Sequence, residues 1–232
     1  CIRDSYMISV KYLLSTSLLI LGLTACSQSP QRTSFPENIA KTPEIKKLHK
    51  HTPVSYFVWI AHPRNADRVK SYKYYLQQQG VQLVAPDFEF FRSARGWQEC
   101  HYDEYDVPEP NVWPNIVPTL NLLSHLVKNG ILDDFELTSG YRSPTLNSCV
   151  NGAKSSSHMQ NAAVDFRIGP EFPNANDRIA IANSKLKLCK FWQTEGQKYN
   201  MGLGVYSTGQ IHIDTKGFRT WGPDLSWHSS IC

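Results

Sequence analysis

The sequence contains no Cys-x-x-Cys pair, so its six cysteines lack the usual spacing of a cysteine-bound zinc site. It also lacks an apolar run of the roughly 20 residues that a membrane-crossing helix needs. The N-terminal run Tyr12–Leu23 is too short and has Ser15, Thr16 and Ser17 inside it. No basic run or stacking platform is present, and the net charge is only +4, which suits an anionic surface such as a cell wall and does not argue for nucleic acid. No internal repeat is found, which excludes a solenoid or propeller. What remains is a chain of 232 residues, 41% hydrophobic and 12% aromatic, enough for one domain of moderate size plus tails.

The N-terminus reads as a targeting segment. Lys11 precedes the apolar run, in the order of a signal peptide. Leu23-Thr24-Ala25-Cys26 resembles a bacterial lipobox, which implies a lipid on Cys26; the alternative is an ordinary signal peptide with a chance cysteine. By the same resemblance, Ser27 rather than an aspartate after Cys26 implies sorting to the outer membrane, facing the periplasm. Met7 is the expected start, with residues 1–6 upstream of it. The expected organisation is a signal peptide over 1–25, a tether over 26–53 containing Pro30, Pro36, Pro43 and Pro53, a helical extension over 54–110 and a catalytic domain over 111–232. Setting Cys1 and Cys26 aside leaves Cys100, Cys149, Cys189 and Cys232, an even set that favours disulfides in an exported protein. Three pairings are open, and the reading leans to Cys149–Cys189 with Cys100–Cys232.

Hydrophobic patterning places the elements. Val54–Ile60, rich in β-branched and aromatic residues, predicts a strand, and Asn65–Gln79 predicts a helix stopped by Gly80. Asp87–Gln98 predicts a second short helix. Ile116, Leu120, Leu123 and Val127 recur at helical spacing over Trp113–Lys128, with Pro118 accommodated in a first turn. Phe135–Ser139 predicts a strand and Pro144–Val150 a short helix. Ser184–Tyr199 predicts a helix with Leu186, Leu188, Cys189 and Trp192 facing inward. Strands around Asp165, Val205, His212 and Phe218–Trp221 complete a small sheet. The expected class is α+β, with a largely antiparallel sheet and flanking helices.

Three residues carry the chemistry. In Ala163-Val164-Asp165-Phe166, Ala163 and Asp165 share one face. In Ile211-His212-Ile213-Asp214 the isoleucines face the core, and His212 and Asp214 face the other side. Pairing the two strands would put Asp165 and His212 on one surface, with His158 arriving from the preceding loop. Two imidazoles and a carboxylate form a zinc set with a fourth position left for water. A carboxylate in an apolar strand is costly unless partnered, and a metal removes that cost; an ion pair of Asp165 with Arg142 or Arg167 is the alternative.

Ser156-x-His158-x-x-Asn161-x-Ala163-x-Asp165 resembles the S-x-H-x-x-G-x-A-x-D signature of the zinc D-alanyl-D-alanine carboxypeptidase family, whose fold the hedgehog signalling domain shares. Gly202-x-Gly204-x-Tyr206 followed by Ile211-His212-Ile213-Asp214 resembles its second motif, and Ser139-Gly140-Tyr141-Arg142-Ser143-Pro144 the strand end that supplies its arginine. The resemblance covers residues 111–223. It implies one Zn²⁺ per chain held by His158, Asp165 and His212, and a peptidase acting on peptidoglycan stem peptides or cross-links. It further implies Arg142 at the polarised carbonyl or a terminal carboxylate, and Ser156 and Tyr206 toward substrate, though Tyr206 could instead simply pack. A monomer with a lipid anchor and no nucleic-acid partner is expected. A metal-bearing module that binds peptidoglycan or a partner without cutting is the rival.

The sequence departs from the family pattern twice. Asn161 stands where the family has glycine, and asparagine tolerates left-handed backbone. Gly209 and Gln210 stand where many relatives carry an acid or histidine as general base. Asp214 is the nearest ionisable replacement, either as base or as a group that orients a histidine ligand.

Overall fold

A computed structural model describes residues 51–232 of the chain; the signal-peptide run, Cys26 and the tether up to residue 50 lie outside the described residues. Helix α1 spans Val54–Ile60, where a strand was expected. Val54, Phe57 and Val58 are exposed while Tyr56 is buried and Trp59 and Ile60 pack against the core, so burial follows a helical three-to-four spacing that an all-apolar run conceals. Helix α2, Pro63–Gln78, starts on a proline and ends before Gly80, whose φ of +71° turns the chain.

Helix α3 is confined to Asp87–Phe90, shorter than the expected Asp87–Gln98. The chain leaves the helix because Arg92 pairs with Tyr105 in an antiparallel bridge and the Ser93 amide donates to the Glu104 carbonyl. The 92–105 loop is thereby closed at its neck. A 3-10 turn over Pro110–Ile116 leads into α4, Val117–Lys128, with Pro118 in the first turn, where a missing N–H costs nothing.

Strand β1 is Glu136–Ser139, and α5, Pro144–Cys149, follows with Ser143 accepting from the Leu146 amide as its cap. Strand β2 is Ala163–Arg167. Helix α6 runs Ala175–Glu195, nine residues earlier at its start than the sequence pattern suggested. Asn174 and Asp177 form a reciprocal capping box there, a start signal upstream of the apolar pattern. Leu186 of α6 is 62% exposed rather than inward, while Lys185 is buried with its ammonium 2.6 Å from the Tyr206 carbonyl.

Strands β3 (Gly202–Val205), β4 (Gln210–Asp214) and β5 (Arg219–Trp221) complete a sheet of order β1-β2-β4-β3-β5, antiparallel except for the β3–β5 pair. One face packs Leu137, Val164, Phe166, Leu203, Ile211 and Ile213 against α4 and α6 in a core that also takes in Tyr56, Tyr72 and Phe90 from the N-terminal helices. The opposite face carries the polar residues in register rows. Ser139, Asp165, His212, Gly204 and Trp221 form one row; Ala163, Asp214, Gly202 and Arg219 form the next.

The disulfides are Cys100–Cys149 and Cys189–Cys232, which corrects the expected pairing. The first ties the 92–105 loop to α5, and the second ties α6 to the C-terminal residue. Among the described residues no helix is long and apolar enough to cross a membrane.

Candidate metal centre

Direct register pairing of Asp165 with His212 places both side chains side by side on the polar face. His158 joins them from a 3-10 turn, Ser157–Gln160, that Ser156 caps by accepting the His158 amide at 3.3 Å. The turn closes on Asn161, which holds φ 51° and ψ 48°, the left-handed geometry that the family's glycine would supply. The Asn161 side chain donates to the Tyr72 hydroxyl at 2.9 Å and to the Val112 carbonyl, so α2 holds the turn from behind.

Three atoms converge. His158 Nε2 lies 3.1 Å from Asp165 Oδ1, His212 Nδ1 lies 2.8 Å from the same oxygen, and the two nitrogens are 3.2 Å apart. The far edges of both rings are occupied. His158 Nδ1 donates to the Gly140 carbonyl at 2.6 Å, and His212 Nε2 donates to Asp214 Oδ2 at 2.9 Å. With those protons assigned by their acceptors, each neutral ring turns a lone pair toward the Asp165 carboxylate. Three electron-rich atoms then face one point, an arrangement that calls for a cation. Ligand atoms about 2.0 Å from a tetrahedral zinc stand about 3.3 Å apart, close to the observed triangle. Among the described residues His158, Asp165 and His212 are the one such group able to hold a metal, and the donor set fits zinc.

The charges of the three side chains act on one another at this distance. Burial lowers the His158 imidazole, against the pull of Asp165. Burial works to raise Asp165, but the charges and hydrogen bonds of His158 and His212 hold its carboxylate well below the usual range. Burial opposes protonation of His212, yet hydrogen bonds to Asp165 and Asp214 outweigh it and raise the ring. The Asp165 side chain is 15% exposed and opens the group to solvent.

Asp214 sits on the opposite edge of the His212 ring from the donor triangle. Both of its oxygens are engaged: Arg219 donates to each at 2.9 and 2.6 Å, the Lys216 amide to Oδ1 and Ser157 to Oδ2. Burial would raise this carboxyl, but His212 and Arg219 hold it far below the usual carboxylate range. The other base positions are closed as well. A side chain at Gly209 would start 2.2 Å from the Ile168 carbonyl oxygen, and the buried Gln210 amide accepts from Thr138.

Arg142 donates to Asp165 Oδ2 at 2.9 Å, so the ion pair weighed against the metal exists together with the donor triangle, on the carboxylate's other oxygen. The Tyr206 hydroxyl accepts from the Trp221 indole at 3.2 Å, and burial raises its pKa, leaving it a proton donor at neutral pH. Ser156 is half-buried and engaged as the turn cap.

Sequence reasoning missed the Gly140 carbonyl, Ser157, Arg219 and Trp221. A side chain at Gly202 would meet Arg219 and Asp214, and one at Gly204 would meet the Trp221 indole at 2.7 Å. The paired glycines of β3 therefore leave room for two β5 side chains to cross over and support Asp214 and His212, whose ring lies 5.1 Å from that of Trp221. The signal was present in Arg219-x-Trp221, two residues sharing one strand face.

Two imidazoles, a carboxylate and an open side make up the ligand set of metal-dependent hydrolases. Residues 114–214, the part of the chain that carries all three donors, match the family model described as Peptidase M15. No curated protein and no solved structure matches the chain.

Proposed function

We propose that the chain is a zinc-dependent peptidase that cuts peptidoglycan stem peptides or their cross-links at the periplasmic face of the envelope, working as a monomer held by a lipid on Cys26. The observation that carries the proposal is the triangle of His158 Nε2, Asp165 Oδ1 and His212 Nδ1, with every outward ring nitrogen already committed. Zinc bound there supplies Lewis acidity to water and to the scissile carbonyl. The Gly140 carbonyl and Asp214 fix the tautomers that turn both histidines inward. Arg142, held by Asp165, would offer positive charge to the reacting carbonyl, and the Tyr206 hydroxyl, protonated at neutral pH, would face substrate as a hydrogen-bond donor. Asp214 orients His212 rather than taking a proton, because its oxygens are saturated.

A second reading, a metal-bearing module that binds without cutting, is favoured by the closed base positions at Gly209 and Gln210. Incubating the zinc-loaded chain with purified peptidoglycan and weighing the muropeptides separates the two. New peptide ends, absent with His158→Ala, support the peptidase, and the mass lost names the bond. Tight binding to sacculi with no new ends, zinc bound and the fold intact, establishes the module instead.

A further inference from the structure

Helix α1 carries more apolar surface than the core takes up. Every residue of it except Ser55 is apolar or aromatic, and residues 52–63 contain no aspartate, glutamate, lysine or arginine. Its inner face is firmly docked. The Tyr56 ring stands edge-on to Tyr105 with centres 5.1 Å apart, and Trp59 lies 5.5 Å from the same ring. The Asn65 amide of α2 donates to the Trp59 carbonyl at 2.9 Å. That docking fixes which side of the helix points outward. Val54, Phe57 and Val58 are 76%, 58% and 71% exposed, and Ala61 at the C-cap is exposed as well. Spacings of three, four and seven residues put these four in one stripe. A helix that is apolar on every side belongs in a core or against lipid, and the core covers only one side of α1.

The position of α1 in the chain names what covers the stripe. Among the described residues it is the first element, and it follows Cys26 after the 27 residues 27–53. A segment of that length spans at most about 100 Å when fully extended, so a bilayer holding a lipid on Cys26 stays within reach of α1. A surface held that close needs little affinity of its own, because tethering makes the contact intramolecular. Charge points the same way. Residues 45–66 contain no acid and carry Lys46, Lys47, Lys50 and the exposed Arg64 on the two sides of α1. An apolar, aromatic helix flanked by cations is complementary to an anionic lipid surface, which attracts each lysine or arginine brought near it.

We propose that the outer stripe of α1 seats in the headgroup layer of an anionic membrane, with Val54, Phe57 and Val58 reaching the outer ends of the acyl chains. The proposal goes beyond the peptidase reading and rests only on the lipid anchor that accompanies it. The lipid holds the chain to the bilayer, and α1 sets the orientation of the domain on it. That follows because the inner face of α1 is packed against the domain rather than swinging on a linker.

The test uses the full chain reconstituted into vesicles of phosphatidylethanolamine and phosphatidylglycerol at about three to one. An environment-sensitive fluorescent amino acid replaces Val58 in one preparation and Leu186, the exposed leucine of α6, in another. A lipid carrying a nitroxide at the headgroup–acyl boundary serves as quencher, at the depth of about 5–10 Å to which an interfacial helix buries its face. The probe at 58 is expected to shift to the blue on reconstitution and to be quenched, and the probe at 186 to do neither. Val54→Ser with Phe57→Ser should abolish the response at 58, and vesicles of phosphatidylcholine alone should weaken it. No response at 58, equal responses at 58 and 186, or a response unchanged by the serine pair or by phosphatidylcholine overturns the proposal. So does a blue shift at 58 that grows with protein concentration without vesicles, which assigns the stripe to a second copy of the chain. The mass of the purified chain shows separately whether Cys26 carries lipid. Without lipid the anchor reading fails, and quenching confined to position 58 still upholds the stripe. No readout depends on turnover, so the peptidase reading is tested elsewhere and falls independently.

Discussion

Arg219 reaches His212 without touching it. Its guanidinium grips both oxygens of Asp214, and Asp214 in turn holds His212 Nε2. Groups that fix a ligand histidine in this way change metal affinity by about 10–100-fold when lost. Arg219→Leu should therefore weaken zinc binding by about that factor, read by competition with a coloured chelator, while Arg219→Lys keeps part of the affinity. A variant with unchanged affinity would mean that the ion pair serves stability alone. Asn161 permits a second test at this scale. Asn161→Gly keeps the left-handed turn but strips Tyr72 of its buried partner, a loss of about 1–3 kcal/mol. Asn161→Ala adds the left-handed backbone cost of about 1–2 kcal/mol, so the alanine variant should melt below the glycine variant.

Among the elements, β3 and β5 work as a pair. Gly204→Ala drives a methyl into the Trp221 indole, and overpacking of that kind costs about 1–3 kcal/mol. Displacing the indole also removes the ring that backs His212, so both the melting temperature and the zinc affinity should fall together. Strand β1 carries a different device, Glu136, which pairs with Arg92 at the neck of the 92–105 loop and with Arg167 of β2. Burial would raise this carboxyl, but the two arginines outweigh it and lower it. A folded value below the unfolded one gives stability that is present above about pH 4.3 and is lost as pH falls through the folded value. Glu136→Gln should flatten that acid limb in urea unfolding measured from pH 6 downward. The site strands were legible in the sequence because period-two alternation makes Asp165 and His212 neighbours once β2 and β4 pair. Helix α1 was not, since a seven-residue run of nearly all apolar residues shows no period. The 92–105 loop could not be read, because its fastening depends on contacts between segments far apart in the chain; Arg219-x-Trp221 signalled a shared strand face, but not that the two side chains cross β3 to reach Asp214 and His212.

At the scale of the molecule, the disulfides close spans of 49 and 43 residues. Each removes about 4 kcal/mol of unfolded-chain freedom by the loop-entropy estimate. Replacing Cys189 and Cys232 by alanine should lower the urea midpoint while leaving zinc affinity unchanged, since that bridge fastens α6 to the chain end and touches no donor. A parallel fall in zinc affinity would show that the C-terminal staple also shapes the site.

The bond between Asn161 and Tyr72 has a consequence for where this protein can be cut. The recognisable stretch begins at residue 114, yet the turn that aims His158 is held by α2, Phe90 and Phe91 fill the common core, and Glu89 accepts the amide of Leu137 in β1. A gene fragment beginning at residue 111 would keep every donor and lose the wall behind them. It should come out of the cell aggregated or loosely collapsed. The stretch that can be recognised and the stretch that can stand by itself have different boundaries in this chain, and the first is the shorter.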